Sequence, residues 1–313
     1  MTTPSATRKY PHVAVLMGGW SAERTVSLSS GRDCANALEG EGYRVTRVDV
    51  DRDVAAALTA LKPDACFNAL HGRWGEDGCV QGLLEVLGIP YTHSGVLASS
   101  LAMHKEQTKR IVAKHGVPVA EGRQVTPQQA LAEHIMAPPY VAKPISEGSS
   151  VGVVIVREGA NRPPEAIARI PVTRDNEIMI ERFIPGRELT CGVIGTKVTG
   201  IIDIVAASHL QFYDFEAKYA PGGSKHILPA QIPAGVAERV QRSTLAAHQA
   251  LGCRGVSRCD FRYDDAKDDL IFLEINTQPG MTPTSLIPEL AADAGISFRQ
   301  LVARLVEDAS TDR

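Results

Sequence analysis

The chain has 313 residues, 44% of them hydrophobic and 22% charged, with a formal net charge of -3. That length corresponds to two or three domains of ordinary size, and the balanced charge argues against nucleic acid as the main partner. Residues 1–11 are polar without an apolar signal core, no apolar run reaches membrane-spanning length, and the six cysteines include no Cys-x-x-Cys pair, so the expectation is a soluble cytoplasmic protein with no membrane segment, disulfide framework or zinc site.

Val13 to Met17 is a continuous apolar run ending in Gly18-Gly19, which suits a buried parallel strand entering a turn. A helix is expected from Val26 to Leu38, then a strand from Arg44 to Asp49, a helix from Val54 to Leu61 and a third strand from Ala65 to Leu70. This alternation predicts a parallel, Rossmann-like α/β layer whose ligand side lies at the strand carboxyl ends. Gly18-Gly19 is not a dinucleotide fingerprint: the third glycine is missing, and Glu23-Arg24 puts charge where a pyrophosphate needs bare backbone. The next loop, His71-Gly72-Arg73-Trp74-Gly75-Glu76-Asp77-Gly78, has more glycines than a turn requires. Glu23 and His71 are therefore either a polar substrate site or solvated loop residues.

A helical run from Leu97 to Lys114 carries Lys105, which taken alone is a surface lysine. Lys143 ends a short strand before Pro144 and the glycine- and serine-rich segment from Ser146 to Val153. Such a turn can lay backbone N–H groups over phosphate oxygens while a lysine supplies a mobile point charge. No Walker A pattern is present, so a nucleotide would need another architecture. Ile178 to Ile184 is expected as a strand stopped by Pro185-Gly186, with Glu188 beyond; it is either a nucleotide-holding segment or an ordinary hinge.

Two strand-like runs follow, one through Cys259-Asp260-Phe261 and one from Ile271 to Ile275, expected to pair as a hairpin with a long connection. Side-chain alternation puts Glu274 and Asn276 on one side, with Asp260 beside them. Two carboxylates and an amide oxygen form a hard-oxygen set suited to Mg²⁺, the bland alternative being solvated acids on a strand edge.

Jointly these residues resemble the D-alanine:D-alanine ligase family of the ATP-grasp superfamily. Met17 to Arg24 with Val26-Ser27-Leu28 and Ser30-Gly31 resembles its first loop, Leu70 to Gly78 its second, Phe212 to Tyr219 its closing loop, and Leu273 to Thr282 its metal-binding strand. Three positions depart from the family pattern: His104 stands where Asp often precedes the lysine, Arg182 where Lys is common, and Phe183 where Trp or Tyr is frequent.

The resemblance implies an ATP-grasp fold in three domains: an N-terminal substrate-binding domain over residues 1–100, a central lid over 101–186 and a C-terminal catalytic domain over 187–313. It implies ATP-dependent joining of two D-alanines through a D-alanyl phosphate, for peptidoglycan precursors. By the same resemblance Asp260, Glu274 and Asn276 would hold two Mg²⁺ ions, or Mn²⁺ in their place. Lys105, Lys143, Glu181, Arg182, Phe183, Ile184, Glu188 and Lys218 would bind ATP. Glu23 and His71 would hold the first D-alanine, Ser285 and Leu286 would line the second site, and Arg258 and the Gly280 N–H would face the oxyanion. Glu23, Ser149 and Tyr219 would join the three loops that close over the site. Tyr219, where ester-forming relatives carry Phe, favours the dipeptide over D-alanyl-D-lactate. The alternatives are a D-alanine:D-lactate or D-alanine:D-serine ligase and, in another class, a silent ATP-binding regulatory module. A homodimer is expected from the resemblance alone.

Overall fold

The structure is a computed structural model that describes residues 8–148, 151–172, 176–206 and 223–312. The first sheet is parallel, with strand β1 (His12–Gly18) between β2 (Arg44–Val50) and β3 (Ala65–Asn68). Helices α1 (Arg24–Gly40) and α2 (Val54–Leu61) make the crossovers. Every side chain of β1 from Val13 to Leu16 is fully buried, as a strand covered on both faces requires. The helix α1 can lie this close because residue 31 is glycine: a β-carbon there would sit 2.3 Å from the Met17 Cβ. The third strand ends at Asn68, short of the expected Leu70, because the Asn68 side chain accepts the Leu70 N–H at 3.1 Å and turns the chain toward His71.

Three helices follow: α3 (Cys79–Leu87), α4 (Val96–Met103) and α5 (Lys105–Lys114). The single helix expected over Leu97 to Lys114 is thus two, broken at His104. The extended backbone of His104 ends one helix, and its Nδ1 caps the next by accepting the Gln107 N–H at 3.3 Å. Aspartate is a strong N-cap, which accounts for the family's preference at this position.

The second sheet is antiparallel, in the order β4 (Gly122–Val125), β7 (Ile178–Arg182), β5 (Tyr140–Lys143), β6 (Val154–Val156), with helix α6 (Pro127–Ala132) packed nearby. Its apolar cluster draws only on its own segment, including Ala130, Tyr140, Ile167, Ile178 and Ile180, so it forms a separate lobe. Strand β7 stops at Arg182, not at the expected Ile184; Ile184 instead packs with Ala120 and Ile271 in a small apolar joint to the next sheet.

The third sheet holds β8 (Arg187–Ile194), β9 (Lys197–Ala206), β10 (Ser224–Ile227), β11 (Val256–Asp264) and β12 (Asp269–Asn276), in the order β10-β9-β8-β11-β12. Helix α7 (Ala234–Ala250) covers one face. Helices α8 (Leu286–Asp293) and α9 (Phe298–Glu307) join the other to the N-terminal layer, in a core shared by Val15, Leu38, Phe67, Ile202, Ile287, Leu290 and Leu301. Strands β11 and β12 do pair as a hairpin, but the connection is a short turn from Asp265 to Asp268 and not a long one. Among the described residues no helix is long and apolar enough to cross a membrane.

Candidate active site

Along β11 the residues alternate strictly. Arg258, Asp260 and Arg262 take one face, while Cys259, Phe261 and Tyr263 join the core under α7. On β12 the pattern needs a bulge to work. Phe272 lies opposite Phe261, but Glu274 lies opposite Asp260, so one extra residue sits in the ladder between them. In a regular strand Glu274 would face the same side as Phe272, into the core; the inserted residue turns both Leu273 and Glu274 toward the cleft. Asn276 follows on the same side, opposite Arg258.

Two cavities meet at this strand. One, of about 150 Å³, is lined by Lys105, Lys143, Glu181, Arg182, Phe183, Ile184, Glu188, Asp260, Arg262 and Glu274 among others. The second, of about 390 Å³, is lined by Glu23, His71, Lys105, Arg258, Glu274, Asn276, Gly280, Ser285 and Leu286 among others. Lys105, Glu147 and Glu274 line both, and Asp260 and Asn276 stand on opposite sides of that shared wall. Lys105 is fixed there by its bonds to the Glu274 carboxylate at 3.2 Å and the Glu147 carbonyl at 2.5 Å.

Charge organises the smaller cavity. Glu181 is 3% exposed and takes the ammonium of Lys109 on one carboxylate oxygen and that of Lys143 on the other. Burial pushes its carboxyl up, but the two lysines outweigh burial and hold it at about 2. Glu181 therefore stands as a fixed anion that locates Lys143. Lys109, pulled down to about 8 chiefly by burial, shares that carboxylate with a second cation and escaped the sequence reading. A signal was present: Lys105, Thr108, Lys109 and Val112 recur at helical spacing and form the buried stripe of α5. Arg262, also not singled out, donates to the carbonyls of Ile184 and Gly186 and to Glu188, holding the joint between the sheets. Its place in the alternation from Arg258 to Arg262 was legible. Arg182 reaches across to Asp269 at 2.9 Å.

Asp260 accepts from Arg258 Nε at 2.9 Å and Nη2 at 2.7 Å, and from the Thr190 hydroxyl at 2.7 Å. The Asn276 side-chain oxygen accepts the Gln278 N–H at 2.8 Å. Among the described residues no three His, Cys, Asp or Glu side chains gather as a metal cluster. The candidate donors are two carboxylates and an amide oxygen, each carboxylate already facing a cation, and this hard-oxygen set fits Mg²⁺.

Hydrogen bonds, most of them between neutral groups, organise the larger cavity. Ser27 accepts the Gly18 N–H and donates to the Ala69 carbonyl, both at 2.8 Å, locking the first loop to the end of β3. His71 bonds Ser30 through Nε2 at 3.0 Å and Glu76 through Nδ1 at 3.3 Å. Gly72, at φ +70°, leaves room for Glu23: a β-carbon there would lie 2.6 Å from the Glu23 carboxylate. Gln278 pairs with Asn68 twice, donating to its carbonyl at 2.5 Å and accepting from its side chain at 3.1 Å, so the end of β12 is bolted to the end of β3. Sequence alone gave no sign of that bolt. Ser285 accepts the Thr282 N–H at 3.1 Å and stands at the start of α8. Ser149, Lys218 and Tyr219, with the loop from Phe212 to Tyr219, lie outside the described residues.

Comparison with known proteins shows the family. Residues 106–307 match the family described as D-ala D-ala ligase C-terminus, and residues 55–94 the family described as D-ala D-ala ligase N-terminus. The chain is 61% identical over 305 residues to the D-alanine--D-alanine ligase of Parvibaculum lavamentivorans, covering 96% of this chain and 98% of that protein. It is 59% identical over 302 residues to the D-alanine--D-alanine ligase of Agrobacterium fabrum, with the same coverage of 96% and 98%. Among solved structures, D-alanine--D-alanine ligase from Bacillus anthracis complexed with ATP superposes with a TM-score of 0.78 at 32% identity, covering 95% of this chain and 96% of that one. The VanG D-Ala:D-Ser ligase from Enterococcus faecalis also gives 0.78, at 27% identity, covering 95% and 98%.

Proposed function

The chain belongs to the D-alanine--D-alanine ligase family and has the ATP-grasp fold, and from that premise we propose how its two cavities divide the reaction. It is an ATP-dependent ligase that joins two D-alanines for peptidoglycan precursor synthesis. The smaller cavity takes ATP, the larger the two amino acids, and the γ-phosphoryl group passes between them where Lys105, Glu147 and Glu274 form a common wall. That wall carries the proposal, because phosphoryl transfer needs donor and acceptor in line at one place.

A free carboxylate is a poor acyl donor, and its phosphate is a good one. Two anions must meet in the first step. Lys143, positioned by Glu181, and Lys105, positioned by Glu274, both line the smaller cavity and would face the triphosphate. Asp260, Glu274 and Asn276 would hold two Mg²⁺ ions, which supply countercharge at the transferring phosphate when bound. Arg258 and the Gly280 N–H line the larger cavity and would stabilise the oxyanion when the second amine attacks. Glu23 and His71 would seat the first D-alanine, with Ser285 and Leu286 at the second site. Arg182, Phe183, Ile184 and Glu188 would hold the adenine and ribose end. Ser149, Lys218 and Tyr219 are assigned to closure of the site by family resemblance, and the domain limits at 100 and 186 remain part of the same proposal. A cytoplasmic location, where ATP is at hand, and a homodimeric assembly are expected.

The deciding experiment measures phosphate released from ATP with D-alanine as donor and D-alanine, D-serine or D-lactate as acceptor. Release that requires D-alanine, and yields dipeptide in preference to ester, supports the proposal. ATP hydrolysis indifferent to all three, or a stronger response to D-serine or D-lactate, overturns it.

A further inference from the structure

The second half of the reaction also needs a proton acceptor, and in the larger cavity both His71 nitrogens are already bonded, to Ser30 and Glu76, while Glu23 is assigned to the first D-alanine. The second D-alanine arrives as an ammonium ion, which has no lone pair, and must lose a proton before it can attack. Arg258 and Lys105 are cations and cannot accept it. The larger cavity also contains His226, on β10, whose ring lines it together with Thr282, Thr284, Ser285 and Leu286. Its Nδ1 lies 2.7 Å from the Glu289 carboxylate, which stands in the first turn of α8 just beyond Ser285 and Leu286. The two side chains are 22% and 32% exposed, partly withdrawn from water yet open to the cavity.

This contact settles the tautomer. A carboxylate only accepts, so Nδ1 carries the hydrogen, and in the neutral ring the lone pair is on Nε2. Among the described residues Nε2 makes no hydrogen bond. The arrangement is that of a base oriented by an acid: Glu289 fixes the ring and faces the positive charge that appears when Nε2 takes a proton.

We propose that His226 is the catalytic base for the second D-alanine, with Glu289 as its positioning residue. The inference rests on the ligase function above and adds to it. An N–H bond of the ammonium breaks, its proton passes to Nε2, and the electron pair stays on nitrogen. That nitrogen then bonds to the acyl carbon of D-alanyl phosphate. On collapse of the tetrahedral adduct the C–O bond to phosphate breaks, and the second N–H proton leaves with hydrogen phosphate. The imidazolium returns its proton to water, completing the cycle without any other reactant.

The test uses two nucleophiles. Hydroxylamine is largely unprotonated at neutral pH and traps an acyl phosphate as hydroxamate without help from a base. In His226→Gln, dipeptide formation at saturating D-alanine is expected to fall roughly a hundredfold. Hydroxamate formation from ATP, D-alanine and hydroxylamine should stay at the wild-type rate, which also shows that the variant folds and makes the intermediate. Glu289→Gln should show the same split with a smaller loss, about tenfold. Equal loss with both nucleophiles, no loss with either, or a raised KM for the second D-alanine at unchanged kcat would each remove His226 as the base. If the unaltered enzyme makes neither product, the ligase function itself is wrong, an outcome distinct from failure of the variant to discriminate.

Discussion

Around the smaller cavity, Lys109 and Lys143 grip Glu181 and Arg262 reaches Glu188, and at the wall between the cavities Arg258 grips Asp260; most of these side chains are almost wholly buried. Around the larger cavity more of the bonds come from hydroxyls and amides, Ser27 to Ala69, Ser30 to His71 and Asn68 to Gln278, beside the His71–Glu76 and His226–Glu289 contacts. Burying an ion is expensive unless it is paired and hydrogen-bonded. That expense makes sense where the ligand is a polyanion, since a preformed cationic wall needs no rearrangement when phosphate arrives. A small zwitterion with balanced charge asks less, and neutral bonds give a tighter and less salt-sensitive frame for it.

Changes on the charged side should accordingly have the larger effects. Asp260→Asn removes a charged donor and leaves the Arg258 guanidinium facing a neutral amide, so kcat is expected to fall roughly a thousandfold in D-alanine-dependent phosphate release. A rate near wild type would take Asp260 out of the chemistry. Next comes Lys109→Met, which leaves Glu181 with Lys143 alone. Breaking this buried pair should destabilise the fold by about 3–5 kcal/mol in urea unfolding. It should also weaken ATP binding about tenfold by calorimetry, because Glu181, left with Lys143 as its one cation, holds that ammonium back from the phosphates. The double change Lys109→Met with Glu181→Gln should recover most of the stability; if it does not, Lys109 acts by packing and not by charge.

Gln278→Leu probes the neutral side. It leaves the buried Asn68 amide short of partners and should destabilise by about 1–3 kcal/mol. KM for D-alanine should rise several-fold with ATP affinity unchanged. Equal loss on both substrates would erase the distinction between the two walls.

A further effect lies in the acid limb of stability, where both pKa values lie below those of the unfolded chain. Burial holds the His248 ring, bonded to the Ser257 hydroxyl at 2.7 Å, down at about 4. The fold prefers it neutral, so stability is full above pH 6.5 and declines as pH falls from 6.5 toward 4. Glu181, held at about 2, adds a second decline that begins near 4.5 and continues toward 2. Urea midpoints measured from pH 7 to pH 3 should show the first slope vanish in His248→Asn while the lower one remains.

Much of this was legible in the sequence, for identifiable reasons. The alternation of β1, α1, β2, α2 and β3 could be read because strands buried on both faces are continuous apolar runs and crossover helices repeat at 3.6 residues. Asp260, Glu274 and Asn276 could be expected on one side of the hairpin, as the strand pairing has them, because strand alternation projects residues onto faces. The bulge beside Glu274 could not, since one inserted residue leaves no mark in composition. Without it, the same parity would have sent Glu274 into the core with Phe272. The break at His104 was hidden for a related reason: a cap is made by one side chain, and histidine is a poor advertisement for it. Lys109, Gln278 and the pairing of His226 with Glu289 depend on contacts between segments far apart in the chain, which no local pattern reports.

Lys105, Glu147 and Glu274 serve both cavities, so on the proposed division of the reaction ligands in the two are expected to affect one another. Any factor by which nucleotide binding changes the affinity for D-alanine must equal the factor by which D-alanine changes the affinity for nucleotide. A compound built for either chamber is then a probe of the other, and its dissociation constant should be read as a property of the pair.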